Sequence, residues 1–330
     1  PDYSSAASDV YKRQTIMREN FFKVIRAGIN TTFQDLGRSN LNHIGIPISG
    51  VMDKRNYIIA NKILQNVPSH PIIEFAYQGP RLVYYGEPLN ISVSGDVKFK
   101  IFKNKNEIEG KCYEIITLED HDEIDLISTN KSVYGYLAIG ADLNIDYQWK
   151  SCSINTKANI GSNNGKKLQD NQKIEVSKIK ELSRRKLDHI NSKIENIRVI
   201  KGTNFHYFSK ESQANFFKKE YSVTKLTDRM GMRLEGQRLD NIVNTNIKSE
   251  GLVKGVIQIP ADGNPIIMLA DHGTIGGYPK IATVISADFD KLSQLTPGSK
   301  IKFKEVNLKD AETIFKLYEM ETNNIISKIL

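Results

Sequence analysis

FKVIRAGI (22–29), IIEFAY (72–77), LNISVSG (89–95), VKFKIFK (97–103) and YGYLAIG (134–140) are short runs of β-branched and aromatic residues set between turn formers. IRVIKG (197–202), GVIQIP (255–260), PIIMLA (265–270), KIATVIS (280–286) and KIKFKEV (300–306) continue the pattern through the second half. Branched and aromatic side chains pack well on a pleated surface, so each run predicts a strand. The ADGNP segment (261–265) between two of them reads as a hairpin turn. Helices are few. Residues 52–66 place Asp53 as N-cap and Ile59, Ile63 and Leu64 on one face. Ser209 caps a helix over 209–221, Ser286 starts one over 286–295, and an amphipathic stretch begins near Asn307. The reading is a mainly β protein with short helices, not a doubly wound α/β sheet.

A chain of 330 residues suits two domains rather than one core. The segment 162–193 changes character, with a polar loop (SNNGKKLQDNQ) followed by a charged stretch of helical composition. It is expected to join β domains over 17–182 and 183–330. Residues 1–16 are polar and patternless, and Met17 follows them. They are expected to be a non-native leader and take no part in the fold.

The net charge of +8 does not point to nucleic acid. Its lysines are scattered, and the densest basic stretch (178–193) contains acids and no aromatic residue for base stacking. No apolar run approaches the roughly 18 residues of a membrane span, and the N-terminus lacks a signal-peptide core, so a cytoplasmic location is expected. Cys112 and Cys152 are the only cysteines, and six histidines form no HxxxH or HxH pair, so no metal site is expected. GSNNGKK (161–167) falls one residue short of a phosphate loop and has no Ser or Thr after Lys166. It reads as a surface loop.

Four dense motifs remain. TTFQDLGR (31–38) and GIPISGVMD (45–53) form the first and bring Asp35, Arg38 and Ser49 ahead of a helix N-terminus, which can receive an anion. For Asp35 and Arg38 a structural ion pair stands beside ligand contact, and for Asp53 helix capping is preferred. In DRMGMRLEG (228–236), Arg229 and Arg233 suit either an anionic substrate group or pairing with Asp228 and Glu235. SEGLVKGVIQIP (249–260) carries Glu250 in a turn, as a base or a turn cap, and Gln258 on the strand after it. ADHGTIGGYPK (270–280) gathers Asp271, His272, Thr274, Gly276, Gly277, Tyr278 and Lys280 in one loop. There two glycines let backbone amides approach a ligand, Asp271 and His272 offer proton transfer, and Lys280 adds positive charge.

In this order and spacing the motifs resemble the biotin-dependent carboxyltransferase family, from about Phe22 to Phe303. The family includes KipA, the C component of 5-oxoprolinase and the matching half of the urea carboxylase carboxyltransferase domain. The resemblance implies two cyclophilin-like β-barrel domains. It implies one component of an ATP-dependent 5-oxoprolinase complex, opening the lactam to glutamate. Alternatives are a carboxyltransferase component for urea or a related amide, using carboxybiotin from a partner, or a non-catalytic KipA-like antagonist of a kinase inhibitor. The implied partners are a KipI-like protein, the B component of 5-oxoprolinase, and a LamB/YcsF-like protein, its A component. ATP is implied somewhere in that complex. Both chemistries develop negative charge on the oxygen of an N–C=O group, which cations and backbone amides stabilise. By that resemblance Asp271, Lys280, Glu250 and Asp35 are the catalytic candidates. Arg38, Ser49, Arg229, Arg233, Gln258, Thr274, Gly276, Gly277 and Tyr278 are the substrate-binding candidates.

Overall fold

A computed structural model describes residues 19–104, 106–191 and 196–330. The leader expected over 1–16 lies outside them. All ten predicted strands form, with ends that differ from the reading by one to three residues or not at all. Strands between Phe21 and Ser177 make a seven-stranded and a five-stranded sheet, both antiparallel. Phe22, Phe33, Phe75, Leu82, Ile91, Phe99 and Leu137 fill the space between them. In the second half, strands from Asn196–Lys201 to Lys300–Glu305 close into a barrel. Val256–Gln258 and Ile266–Met268 pair antiparallel around the ADGNP segment, so the hairpin turn stands where it was read. A separate two-stranded ribbon pairs Glu250 with Gly276.

Among the described residues, four α-helices pack on these sheets: α1 (Lys54–Ile63), α2 (Lys210–Lys218), α3 (Phe289–Ser293) and α4 (Leu308–Ser327). Their starts obey local chemistry. Asp53 accepts from the Asn56 amide at 3.0 Å, Ser209 from Ser212 at 3.1 Å and Asn307 from Asp310 at 2.9 Å. Each bond satisfies one of the amides that an N-terminal turn leaves without a partner. α3 starts later than read, because Ser286–Asp288 is a 3-10 turn. There the Asp288 carboxylate takes the Arg198 amide at 2.8 Å. α4 has 20 residues and is not short, but no helix among the described residues is long and apolar enough to cross a membrane.

The charged stretch of helical composition is not helical between Lys178 and Asn191. Its backbone is taken by distant partners. Leu187 donates to the Tyr113 carbonyl at 2.8 Å, and Lys186 and Leu330 exchange bonds at 3.1 Å. Leu187 is buried with Ile59, Ile63 and Tyr113, and that packing outweighs intrinsic propensity. The two halves also share a core. Tyr57, Leu64 and Tyr136 from the first half lie in one cluster with Ile257, Ile267 and Phe289 from the second.

Candidate functional site

Arg229 occupies the turn between barrel strands Tyr221–Thr227 and Gly231–Gly236. Asp228 does not pair with it: the Asp228 carboxylate closes the turn, accepting from the Met230 amide at 2.8 Å and from Gly231 at 3.2 Å. The guanidinium reaches instead to the loop 270–280 and to the first half of the chain. Nε and Nη2 donate to Asp271 at 2.8 and 3.1 Å, Nη2 also donates to the Gly50 carbonyl at 2.6 Å, and Nη1 pairs with Glu74. All three charged side chains are nearly sealed, with Arg229 12%, Asp271 4% and Glu74 1% exposed. Burial opposes the charge on Arg229, and the two carboxylates more than offset it, leaving its pKa above the ordinary value. Glu74 is the reverse case: burial dominates and raises its pKa, with Arg229 pulling the other way. A cavity of about 460 Å³ lies against Arg229, Asp271 and Thr32, with Lys157, Lys166 and Lys167 also on its wall.

The motif around Asp35 is more structural than its sequence suggested. Asp35 accepts from the Ser151 and Ser153 hydroxyls at 2.6 Å and from the Cys152 and Gly37 amides at 2.8 Å. Those four bonds use its acceptor capacity, so it is a loop anchor and not a free base. Asp35 and Arg38 do not form the direct ion pair considered from spacing. Arg38 donates to the Ser153 carbonyl, and its Nε and Nη1 are buried without a partner. Burial lowers its pKa, against the nearby charges of Asp35 and Asp271. Ser49 is buried with φ of 58° and accepts from Asn155 at 3.3 Å. The helix N-terminus behind it is already filled. Asp53 caps it and also receives Asn56 Nδ2 at 2.7 Å and Gln294 Nε2 at 2.9 Å.

The loop 270–280 divides between two environments. At its start, Asp271 joins the Arg229 cluster. His272 points Nδ1 at the Gly273 carbonyl (2.6 Å), its Nε2 is sealed without a partner, and burial lowers its pKa. At its end, the Lys280 ammonium meets Glu250 at 2.6 Å, and the Lys280 amide donates to Asn204 at 3.0 Å. Lys280 holds Glu250 below the usual carboxylate range. Gln258 donates to the Tyr278 carbonyl at 3.1 Å. A Cβ on Gly276 would sit 2.6 Å from the Gln258 amide nitrogen, and one on Gly277 would sit 3.2 Å from the Ile247 carbonyl. Protein therefore fills the side-chain position of both glycines, while both stay partly exposed. Thr274 is half-buried and accepts Leu252 through its carbonyl at 2.9 Å, while Tyr278 is 39% exposed. Arg233 faces outward, exposed, away from the cluster. Among the described residues no hydrogen bond or ion pair joins Lys280 and Glu250 to the Arg229 cluster.

Glu74, Asn204, Ser151 and Ser153 escaped the sequence reading. Glu74 carried a usable signal, being an acid inside the otherwise apolar run IIEFAY. A continuously buried strand cannot leave a carboxylate without a partner.

The carboxyltransferase domain model, subdomain A and B, matches residues 44–305, a span that includes Gly50, Glu74, Arg229, Asp271 and Lys280. The chain belongs to this carboxyltransferase family. It is 30% identical over 303 residues to the C component of 5-oxoprolinase from Haemophilus influenzae, covering 89% of this chain and 94% of that one. The Escherichia coli 5-oxoprolinase C component is 29% identical over 296 residues, covering 88% and 92%. The crystal structure of the K. lactis urea amidolyase superposes with a TM-score of 0.86 at 23% identity. It covers 99% of this chain, which spans 22% of that one, and at such identity the likeness is one of fold. The carboxyltransferase-family relatives are subunits or domains of enzymes, and the mainly β, barrel-containing architecture is the fold they share.

Proposed function

We propose that the chain is the C component of an ATP-dependent 5-oxoprolinase, and that the cavity beside Arg229 and Asp271 takes the N–C=O group of its substrate. The observation that supports this most is the Arg229 guanidinium, which fixes the Asp271 carboxylate at the cavity wall from Nε and Nη2. Two bonds from Arg229 leave Asp271 with acceptor positions to spare, suited to a substrate N–H. In this reading Arg229 positions Asp271. Lys280, next to Glu250, faces negative charge developing on oxygen once a partner completes the site. In this reading the Gly-rich loop does not hold ATP. Residues Asn163–Gly165 make a 3-10 turn, and the next element is the strand Lys173–Ser177, so no helix N-terminus cradles phosphate there. We place the nucleotide on the KipI-like or the LamB/YcsF-like partner.

Arg38 favours a second reading, carboxyl transfer from partner-supplied carboxybiotin to urea or a related amide. Its Nε and Nη1, buried without a protein partner, are donors of the kind that a carboxyl anion takes. Reconstitution separates the two. Mixed with both partner proteins, the chain should release glutamate from 5-oxoproline with ATP, and alone it should release none. Turnover by the isolated chain, or a complex that carboxylates urea and leaves 5-oxoproline untouched, overturns the first reading.

A further inference from the structure

A second cavity, of about 430 Å³, lies where α1, α3 and α4 meet the barrel. α4 forms one wall of it, beyond the residues that the family model matches. Ile58, Val284, Phe289 and Phe315 make the lining largely apolar. Two of its charged side chains are already satisfied. Arg55 donates to Thr322 at 3.0 Å and Glu321 at 2.8 Å, with its guanidinium 3.9 Å from the centre of the Tyr318 ring. Asp290 accepts from the Arg55 amide at 2.9 Å and from the Tyr318 hydroxyl.

Lys254 is different. Among the described residues its ammonium has no hydrogen bond and no carboxylate within ion-pair distance, and it stands 3.6 Å from the centre of the Phe289 ring. A cation–π contact offsets only part of the desolvation of an ammonium. Burial pushes its pKa down to about 8, so at neutral pH most of the population is still charged. Lys54 adds a second, exposed cation at the rim, against the exposed Glu319. The cavity thus combines apolar walls with one poorly compensated cation inside.

We propose that this cavity is a second ligand site, for a small carboxylate with an apolar body, whose carboxylate pairs with Lys254 and whose body lies against Ile58, Val284, Phe289 and Phe315. The volume falls within the roughly 300–1,000 Å³ of small-molecule pockets. Asp290 and Glu319 on the same walls oppose a doubly charged anion, which favours a monocarboxylate over a phosphate. The site goes beyond the 5-oxoprolinase reading and does not depend on it.

Calorimetric titration of the isolated chain with benzoate tests this without any partner protein. Benzoate should bind at one site with a Kd below about 1 mM. Benzyl alcohol, of similar size without the charge, should bind at least tenfold more weakly. Lys254→Met should lose at least tenfold in benzoate affinity. Lys254→Arg, which keeps the charge, and Lys54→Met, which removes one charge from the rim, should stay within about threefold of the parent. Absence of benzoate binding to the parent chain, equal binding of benzyl alcohol, or undiminished affinity in a folded Lys254→Met overturns the proposal.

Discussion

Asp271 receives two hydrogen bonds from one guanidinium, at 2.8 Å from Arg229 Nε and 3.1 Å from Nη2. The same guanidinium binds Glu74 and the Gly50 carbonyl, so one side chain ties the barrel to the first half of the chain. Arg229→Met leaves both carboxylates buried and unpaired. Breaking a buried pair from one side costs about 3–5 kcal/mol, so urea denaturation should show a loss of that size. Adding Glu74→Gln and Asp271→Asn should restore part of it. A loss under about 1 kcal/mol for Arg229→Met would mean the cluster contributes little to holding the halves together.

Lys280 allows charge and structure to be separated. Its side chain is 6% exposed, whereas Glu250 is 44% exposed, so solvent can accept Glu250 once the ammonium is gone. Lys280→Met keeps the buried stem and removes the charge. In the reconstituted complex turnover should fall about a hundredfold, the effect of losing roughly 3 kcal/mol of transition-state stabilisation. The melting temperature should barely move. Full turnover in this variant would return Lys280 to a structural role.

Lys254 makes a pH-dependent prediction. Its folded-state pKa, about 8, lies below the ordinary lysine value, first because of burial, with Asp290, Glu74 and Asp53 working against that and Arg229 adding to it. Between pH 8 and about 10.4 the unfolded chain binds more protons than the folded one, so this group adds stability as pH rises through that window. Below pH 8 the full penalty is present. Lys254→Met should therefore raise stability at pH 7 by about 1–3 kcal/mol, and the gain should shrink steadily above pH 8 and vanish only above about pH 10.4. A gain independent of pH would assign the effect to packing instead.

Gly37 and Gly45 distinguish strain from collision. Both have positive φ, 84° and 82°. A Cβ on Gly37 would lie 2.6 Å from the Ile48 carbonyl, whereas one on Gly45 meets nothing within 4 Å. Gly37→Ala should cost about 2–3 kcal/mol and Gly45→Ala about 1 kcal/mol in thermal unfolding. Equal costs would show that the loop yields around the added methyl.

The strands and caps were legible because their causes are local. Branching at Cβ restricts the backbone of IIEFAY or KIATVIS wherever those runs stand, and a cap such as Asp53 needs only the amide three residues on. The loop 270–280 was also legible as a concentration of polar groups, and family motifs marked it out. How those groups divide was not, because Asp271 and Lys280 leave the loop toward different partners.

By itself the sequence determined the mainly β architecture, the capped starts at Asp53, Ser209 and Asn307 and the hairpin turn, all of which follow from sterics and hydrogen bonds within a few residues. Only the tertiary structure decided which charges meet. Arg229 found Glu74 at a separation of 155 residues and passed over its neighbour Asp228, and Asp35 was taken by Ser151 and Ser153, 116 and 118 residues away. The stretch after Lys178 likewise gave up its helical composition to pair with Tyr113 and Leu330. The reason is desolvation. A charge or backbone amide costs little while water surrounds it, and its partner is chosen only when packing removes that water and leaves a few groups within reach.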